Sequence, residues 1–425
     1  MKCYMIIMLK YIKKGEKKMY TPLYKAYYSD KQEYEMLYDS RFHNELATHF
    51  DFTIGEYSAF FLYVPEMMDL LDKIWKENTQ IEIIYNQLPA IAGKNYLRKI
   101  LIDEAKQTND IENVYSTRKE LEERLEEVSQ PNYRSKLDKR FEGLVNKYLM
   151  LMKGNDIPLS TCQDIRNIFD ELVSTEIKKD NPNNLPDGQI FRKDGVDVTA
   201  ASGTQKVIHR GLHPEAKIIE YVSKGISLLQ NVNINPFVRI SIFHYLFGYI
   251  HPFYDGNGRV NRFISSYLLS KELHISVALA LSGAIKKNLN AYYDAFKKTN
   301  DFKNKGDLTP FILYFFDVIW QATLDIREEV TKGYDKWMFY SKKAIVLEKK
   351  KGIKDQILYI LLQNTLFGIR GISISEIAQI FERSVPSVRN QLDKIGKEYF
   401  LLSKQGHTIL YEVNLDKLSQ TEETI

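Results

Sequence analysis

A glycine-rich bend follows the apolar segment 237–250 and leads into a second helix, in the order His251-Pro252-Phe253-Tyr254-Asp255-Gly256-Asn257-Gly258-Arg259-Val260-Asn261-Arg262. Glycines on both sides of an asparagine let backbone amides converge without clashes from Cβ atoms. Amides that converge at the start of a helix form a binding site for an anion. The bend therefore predicts two helices joined by a turn that can cradle a polyphosphate.

Four side chains in this stretch supply the chemistry that a nucleotide requires. Arg259 and Arg262 are three residues apart, so their guanidinium groups lie near one helix face and suit a triphosphate tail. Asp255 is a hard oxygen ligand, and Mg²⁺ commonly binds one carboxylate together with substrate phosphates. His251 can take a proton from a hydroxyl near neutral pH. Taken singly, each has a plainer interpretation, because histidines often end helices and Asp-Gly is a common turn.

The same stretch resembles the signature of the Fic family, His-Pro-Phe-x-Asp-Gly-Asn-Gly-Arg-x-x-Arg, at every fixed position. The resemblance implies a protein adenylyltransferase that moves AMP from ATP to a Ser, Thr or Tyr hydroxyl of a protein, including itself. It makes His251 the base and Asp255 the ligand of Mg²⁺ (or Mn²⁺). Relatives that transfer phosphate carry lysine after the asparagine, so Gly258 favours AMP transfer. The residues implied to cradle and bind the phosphates are Gly256, Asn257, Gly258, Arg259 and Arg262.

A second motif, Thr108-Asn109-Asp110-Ile111-Glu112-Asn113, resembles the inhibitory motif of Fic proteins, Ser/Thr-x-x-x-Glu-Gly/Asn. Thr108 and Glu112 are four residues apart and share one helix face. The resemblance implies that Thr108, Glu112 and Asn113 restrain the enzyme within one chain, with Glu112 pairing with Arg262 against the γ-phosphate. The alternatives are a solvent-exposed glutamate, and a de-AMPylase in which Glu112 orients a water.

Two further segments occupy positions where Fic proteins have functional elements. Alternation over 190–198, the turn signal at 193–195 and the segment 207–208 predict a β-hairpin. The family carries a flap there that docks the target along a strand edge. Tyr292 and Tyr293 resemble a segment that helps form the adenine pocket, since aromatic faces can stack on a base. An ordinary surface hairpin and core packing of the tyrosines are the alternatives.

The C-terminal region has the pattern of a winged helix-turn-helix domain. Helices are predicted over 356–362, over 375–381 and after the N-cap Ser384, and strands over 399–403 and 408–413. Polar residues on the third helix make DNA a candidate partner, with protein contact as the alternative. A DNA-binding transcriptional regulator with a sensory or inactive Fic core is therefore a competing function.

Composition limits the remaining possibilities. The chain has 425 residues and a formal net charge of +4, which is too small a bias to indicate a nucleic-acid binder by itself. Cys3 and Cys162 lie far apart, which favours a reducing, cytoplasmic location. No stretch approaches the ~20 apolar residues of a membrane span, so we expect no membrane contact. The sequence does not decide whether Met1 or Met19 is the start. It also does not identify the target protein or show whether the chain forms a homodimer.

We expect a mainly α fold, with a Fic-type helical core, a small β-hairpin flap and a C-terminal winged helix domain. The expected divisions are 1–64 without a clear assignment, 65–150 as a helical region with the inhibitory helix, 151–300 as the Fic (Fido) catalytic core, 301–354 as a helical connector, and 355–415 as the winged helix-turn-helix domain.

Overall fold

The computed structural model describes residues 20–28, 30–130, 132–134, 139–199, 207–353 and 355–421. It is mainly helical, with small antiparallel sheets, as the sequence predicts. The chain divides into two compact units, Met1–Lys76 with Glu104–Thr323, and Glu77–Asp103 with Leu324–Ile425. The finer division into five segments stays a prediction. Across the described ranges, no helix has the length and apolar character needed to cross a membrane.

Three long helices contribute residues to both units. They are α3 (Pro65–Tyr85), α4 (Ala90–Ile111) and α15 (Thr309–Lys350). The other elements of the first unit are α1 (Leu23–Ala26), α2 (Lys31–Phe42), β1 (Ala47–Ile54), β2 (Tyr57–Leu62), α5 (Arg118–Val128), α6 (Glu142–Met152), α7 (Cys162–Leu172), α8 (Ser174–Asp180), β3 (Asp197–Thr199), β4 (Val207–Arg210), α9 (Glu215–Gln230), α10 (Pro236–Ile250), α11 (Asn257–Leu269), α12 (Ile275–Ala278), α13 (Leu281–Lys287) and α14 (Leu289–Asn300).

The described part of the N-terminal segment, which the sequence left unassigned, contains two helices and a β-hairpin from residue 20 onward. β1 and β2 pair antiparallel across a two-residue connection, with Ile54 opposite Tyr57 and Gly55 at φ 59°. In β2, the amide of Phe60 donates to the carbonyl of Gly306 at 3.1 Å, and its carbonyl accepts from the amide of Leu308 at 2.8 Å. The hairpin is thereby attached to the segment that leads into α15.

Helix α10 lies at the centre of the first unit and positions the predicted base. It is apolar on nearly every side, which is typical of a helix surrounded by protein. It packs against α9 and α11. Asn235 caps its start by accepting a hydrogen bond from the amide of Phe237, and Pro236 occupies the first turn, where proline is tolerated. The helix ends at Ile250, directly before His251.

The predicted β-hairpin is present, but its turn was wrongly placed. β3 and β4 pair antiparallel, with Asp197 opposite Arg210, and the residues that connect them, 200–206, lie outside the described part of the chain. Residues 190–196 do not form a strand, and 193–195 are not its turn. The amides of residues 189–191 donate instead to the carboxylate of Glu215, so they are not available to a strand ladder.

The second unit contains the predicted C-terminal helices and strands, which are α16 (Ile357–Phe367), α17 (Ile374–Ile380), α18 (Val385–Ile395), β6 (Phe400–Gln405) and β7 (Thr408–Val413). It also contains β5 (Ile372–Ser373) and the short helix α19 (Leu415–Ser419), which the sequence analysis did not predict. Ser384 caps α18 as predicted, because its side chain accepts from the amide of Ser387. The strand β5 was not predicted, and it extends the hairpin to a sheet of order β5-β7-β6. The name winged helix for this group stays a prediction.

Candidate functional site

His251 terminates α10 in the left-handed backbone conformation, at φ 52° and ψ 63°. Its amide donates to the carbonyl of Phe247 over 2.9 Å, which closes the last turn of the helix. Burial lowers the pKa of His251 from its ordinary value of 6.5 to about 4. The charge of Glu112 opposes this shift, whereas Arg192 and His209 add to it. The imidazole is therefore neutral at physiological pH and has a lone pair to accept a proton.

The bend between α10 and α11 is fixed by its own residues. Gly256 has φ 77°, and a Cβ atom there would lie 2.9 Å from Cγ2 of Val173, so only glycine fits. The side chain of Asn257 accepts from the amide of Phe253 at 2.9 Å and donates to its carbonyl at 2.8 Å. Because its side chain is used in this way, Asn257 can contribute to a phosphate cradle only through its backbone amide.

Helix α11 presents its first amides beyond this bend. The first hydrogen bond within the helix runs from the amide of Val260 to the carbonyl of Gly256, at 3.1 Å. The amides of Asn257, Gly258 and Arg259 precede it, and amides in this position have no partner within their own helix. They carry the partial positive charge of the helix terminus. This is the geometry that an anion site needs.

The two arginines of α11 are both buried but differ in their partners. Arg262 is 1% exposed, and its Nε donates to Oγ1 of Thr108 at 2.9 Å. Its Nη2 donates to the carbonyl of Thr108 at 3.0 Å and to Oε1 of Glu112 at 2.8 Å. Arg259 is 2% exposed, and within the described residues its Nε has no hydrogen-bond partner. Its nearest ion-pair contact is Asp255, at 3.8 Å.

The second motif meets the bend at the end of α4. Glu112 follows the last helical residue, and Asn113 has φ 57°, a conformation that glycine and asparagine adopt most readily. This conformation gives a physical reason for the Gly/Asn position of the motif. A Cβ atom on Gly258 would lie 1.9 Å from Oε1 of Glu112 and 2.8 Å from Nη1 of Arg262. The carboxylate of Glu112 therefore lies directly against the first turn of α11.

Asp255 lies at the start of α11, as the residue before Gly256. Its side chain is 45% exposed, at the same helix terminus as the free amides, and its Oδ1 accepts from the amide of Gly256. Among the residues with described positions, no cluster of three acidic, histidine or cysteine side chains could hold a metal. A single carboxylate fits Mg²⁺ only where substrate phosphates provide further ligands.

The two tyrosines predicted at the adenine pocket lie in different surroundings. Tyr292 is buried, its hydroxyl lies 2.9 Å from Nε2 of His244, and its ring meets Phe296 edge-on at 5.1 Å. Tyr293 is half-buried, 5.5 Å from the ring of Tyr292. Tyr292 thus packs in the core, as the alternative interpretation held. Contact with adenine stays a prediction for both, and the half-exposed Tyr293 has the more accessible ring.

Two residues that the sequence analysis did not single out lie against the end of α10. Arg192 is completely buried, and its Nε donates to the carbonyl of His251 at 2.9 Å. His209 stacks on the ring of Tyr249 at 4.9 Å, and its Nε2 lies 2.6 Å from the Tyr249 carbonyl. Neither residue belongs to a periodic or spaced pattern, so no sequence signal distinguished them from surface residues.

Comparison with known proteins finds a match over the segment that carries this geometry. Residues 160–269 match the model of the Fic/DOC family. The protein adenylyltransferase Fic of Drosophila yakuba is 28% identical over 111 residues, which are 26% of this chain and 20% of that protein. The protein of the same name from Drosophila grimshawi is 31% identical over 97 residues, 23% of this chain and 18% of that protein. The match thus spans about a fifth of the length of these curated relatives.

Solved structures are also similar, at low sequence identity. A Fic family protein from Desulfovibrio desulfuricans G20 superposes with a TM-score of 0.49 and 18% identity, over 83% of this chain and 97% of that chain. Fic-1 from C. elegans superposes with a TM-score of 0.39 and 17% identity, over 60% and 70% of the two chains.

Proposed function

We propose that this chain transfers AMP from ATP to a hydroxyl side chain of a protein, and the match of residues 160–269 to the model of the Fic/DOC family supports this. One observation carries the proposal more than any other. The first turn of α11 combines amides that have no partner within their own helix with two buried guanidinium groups, and Nε of Arg259 has no partner among the described residues. A buried, unpaired cationic donor is costly unless an anionic ligand completes its hydrogen bonds.

The proposed reaction is an in-line displacement at phosphorus. The target hydroxyl oxygen bonds to the α-phosphorus, and the bond from that phosphorus to the oxygen bridging to the β-phosphate breaks, so pyrophosphate leaves. The hydroxyl proton passes to the neutral imidazole of His251. Burial lowers the pKa of that imidazole to about 4, so it is a weak base in the free protein. A bound anionic nucleotide would raise this pKa again and strengthen the base.

Binding of the triphosphate falls to the first turn of α11. The amides of Asn257, Gly258 and Arg259 would surround the phosphates, and the guanidinium groups of Arg259 and Arg262 would contact the β- and γ-phosphates. Asp255 would hold Mg²⁺, or Mn²⁺, which when bound neutralises charge on the phosphates. Most of the rate enhancement then comes from positioning and from electrostatic stabilisation by fixed donors.

Glu112 restrains this activity in the proposal. Its carboxylate bonds Nη2 of Arg262 at 2.8 Å and lies against Gly258. A γ-phosphate that binds Arg262 must displace it, because both anions need the same donors. The protein would therefore be held in a low-activity state until Glu112 leaves.

Labelling with ATP radioactive at the α-phosphate tests the proposal. Glu112→Gly protein should label itself or a target, and the Glu112→Gly/His251→Ala double variant should not, with an unchanged melting temperature. His407→Ala is a matched control, since that histidine lies exposed between β6 and β7. Label retained by the double variant at the level of Glu112→Gly would refute the role of His251 as base.

The β3–β4 hairpin is the proposed docking element for the protein substrate. An extended target segment can add to an exposed strand edge through main-chain hydrogen bonds. The hairpin is adjacent to the base, because His209 on β4 lies beside the end of α10 and influences the pKa of His251. A peptide bound at this edge would bring its hydroxyl close to the imidazole.

A second candidate function, DNA binding, rests on helix α18. Arg389, Asn390 and Lys394 are exposed there, on the side away from the buried stripe of the helix. Gln391 is less available, because its amide donates to Asp355 at 2.6 Å. Mobility shifts with random DNA at several salt concentrations test this candidate. A shift that weakens with salt and is lost in Arg389→Ala/Lys394→Ala supports it, and no shift at low salt refutes it.

A further inference from the structure

The buried side chain of Arg192 bonds only to main-chain carbonyls in its described contacts. Nε donates to the carbonyl of His251 at 2.9 Å. Nη2 donates to the carbonyl of Leu212 at 2.9 Å and to that of Ile250 at 3.3 Å, and Nη1 donates to the carbonyl of Asp194. Burying a charged guanidinium is costly, and burial lowers the pKa of Arg192.

The carbonyls that Arg192 and its neighbours bind are those at the end of α10. The last carbonyls of a helix have no partner within it and carry partial negative charge. Here the carbonyl of Tyr249 bonds the imidazole of His209, and the carbonyl of Ile250 accepts from the amide of Leu212 at 3.0 Å. The segment that leads into and out of the hairpin therefore caps the helix that ends in the base.

The main chain of His251 needs such support. Its φ of 52° is unfavourable for a residue with a Cβ atom, so surrounding contacts must hold it there. Gly211, which has no side chain, leaves the space in which the guanidinium of Arg192 reaches the main chain of His251. A Cβ atom on Gly211 would lie 2.5 Å from Nη2 of Arg192 and 3.2 Å from Cβ of His251. The guanidinium and the histidine thus fit together around a position that excludes any side chain.

We propose that Arg192 is a positioning residue, whose guanidinium fork fixes the left-handed main chain of His251 and so aims the imidazole at the target hydroxyl. The inference rests on the proposed AMP transfer, and it adds a link between the hairpin and the base. The same fork bonds Asp194, before β3, and Leu212, after β4. A target that moves the hairpin therefore also acts on the orientation of the base.

The charge of Arg192 gives the proposal a second readout. The ionisable groups that act on His251 are Glu112 after α4, Arg192 before β3, and His209 on β4. Arg192 is cationic and disfavours the imidazolium, so its removal must raise the pKa of His251. If activity needs a neutral His251, acidification should therefore abolish activity at a higher pH in a variant without Arg192 than in the protein that keeps it.

The experiment measures kcat, the KM for ATP and the pH profile of kcat/KM in the Glu112→Gly background. Arg192→Met should lower kcat by about 10- to 100-fold with little change in the KM for ATP, because the base is misplaced while the phosphate site is intact. The acidic limb of its kcat/KM profile, where activity falls as His251 is protonated, should move to higher pH. Arg192→Lys keeps the charge but not the fork, so kcat should fall while the limb stays. Gly211→Ala, which leaves every charge in place, should reproduce the Lys variant.

Arg239→Met is the matched control. Arg239 lies on the first turns of the same helix and donates to the carbonyl of Leu229, so it caps a helix end far from the base. Its loss should alter neither kcat nor the limb. Two results for Arg192→Met would overturn the positioning role. One is a fall in activity at every pH without a shift of the acidic limb, and the other is a raised KM for ATP with kcat unchanged. Absence of AMP transfer in Glu112→Gly itself would instead overturn the proposed function, and the NMR resonances of the His251 main chain in Arg192→Lys and Gly211→Ala would still decide the inference, because unchanged resonances would overturn it.

Discussion

Nη2 of Arg262 donates a hydrogen bond to Oε1 of Glu112 over 2.8 Å, and the arginine side chain is 1% exposed whereas the glutamate is 28% exposed. Thr108 holds the same guanidinium through its hydroxyl and its carbonyl, at 2.9 and 3.0 Å. The end of α4 thus engages a cation of α11 that the proposed reaction needs for a phosphate. In the proposed function, the carboxylate of Glu112 and a bound γ-phosphate would therefore exclude each other at this guanidinium.

Removal of this carboxylate should raise the proposed AMP transfer. Glu112→Gly should raise AMP transfer by about 10- to 100-fold, since a hydrogen bond between charged groups contributes about 1.5–3 kcal/mol and each 1.4 kcal/mol is a factor of ten. Glu112→Asp, one methylene shorter, should give an intermediate rate. Initial rates of label incorporation measure this. Glu56→Gly, at an exposed turn between β1 and β2, is the control and should not change the rate. Equal rates for native and Glu112→Gly protein would remove the inhibitory role.

The contact between Glu112 and Gly258 predicts a thermodynamic coupling that needs no activity. Gly258→Ala in the native protein places a Cβ atom against Oε1 of Glu112, so the free energy of unfolding should fall. In the Glu112→Gly background this clash is absent and the loss should be smaller by about 1–2 kcal/mol. Denaturant unfolding of the four proteins in a double-mutant cycle gives the coupling. Additive effects would show that the carboxylate does not lie against the helix start.

Substitution of the two arginines of α11 should affect the stability of the protein to different extents. Arg259→Met should raise the KM for ATP about tenfold or more, yet lower the free energy of unfolding by no more than about 1 kcal/mol, because the guanidinium has little bonding to protein. Arg262→Met should lower stability by about 2–4 kcal/mol, because Thr108 and Glu112 lose their donor. Titration with ATP and denaturant unfolding separate the two. A large loss of stability in Arg259→Met would contradict the account that this guanidinium has few bonds to protein.

The pH dependence of His251 has a definite sign. Burial depresses its pKa from 6.5 to about 4, so the folded protein binds fewer protons at this site than the unfolded chain between these values. The stabilisation is therefore present above pH 6.5 and is lost as the pH falls toward 4. NMR titration of the imidazole should give a midpoint near 4. The free energy of unfolding of the native protein minus that of His251→Gln should rise as the pH increases from about 4 to 6.5. A midpoint near 6.5 would mean that the imidazole is solvated.

Local sequence was sufficient to predict the bend and the helices around it. Gly256 needs a positive φ, and Pro236 and Asn235 mark the start of α10. These are contacts within a few residues, which is the range over which pattern and turn chemistry act. Helices α16 to α18 and strands β6 and β7 were predicted for the same reason, including the cap at Ser384.

Contacts distant in sequence were not predictable in this way. The hairpin turn was misplaced because Glu215, some 25 residues on, binds the amides that would have formed a strand. The role of Arg192 depends on carbonyls near residue 250, and a buried arginine has no pattern of its own in one sequence. Tyr292 could pack in the core or face a ligand on spacing alone, and its bond to His244 places it in the core.

The position of the transferred label tests the central claim most directly. Glu112→Gly protein is incubated with ATP labelled at either the α- or the γ-phosphate, and protein-bound label and released pyrophosphate are measured. The account predicts label on protein from the α-phosphate alone, with one pyrophosphate released for each AMP bound. Label on protein from the γ-phosphate, or no label from either while the protein is folded and binds ATP, would contradict it.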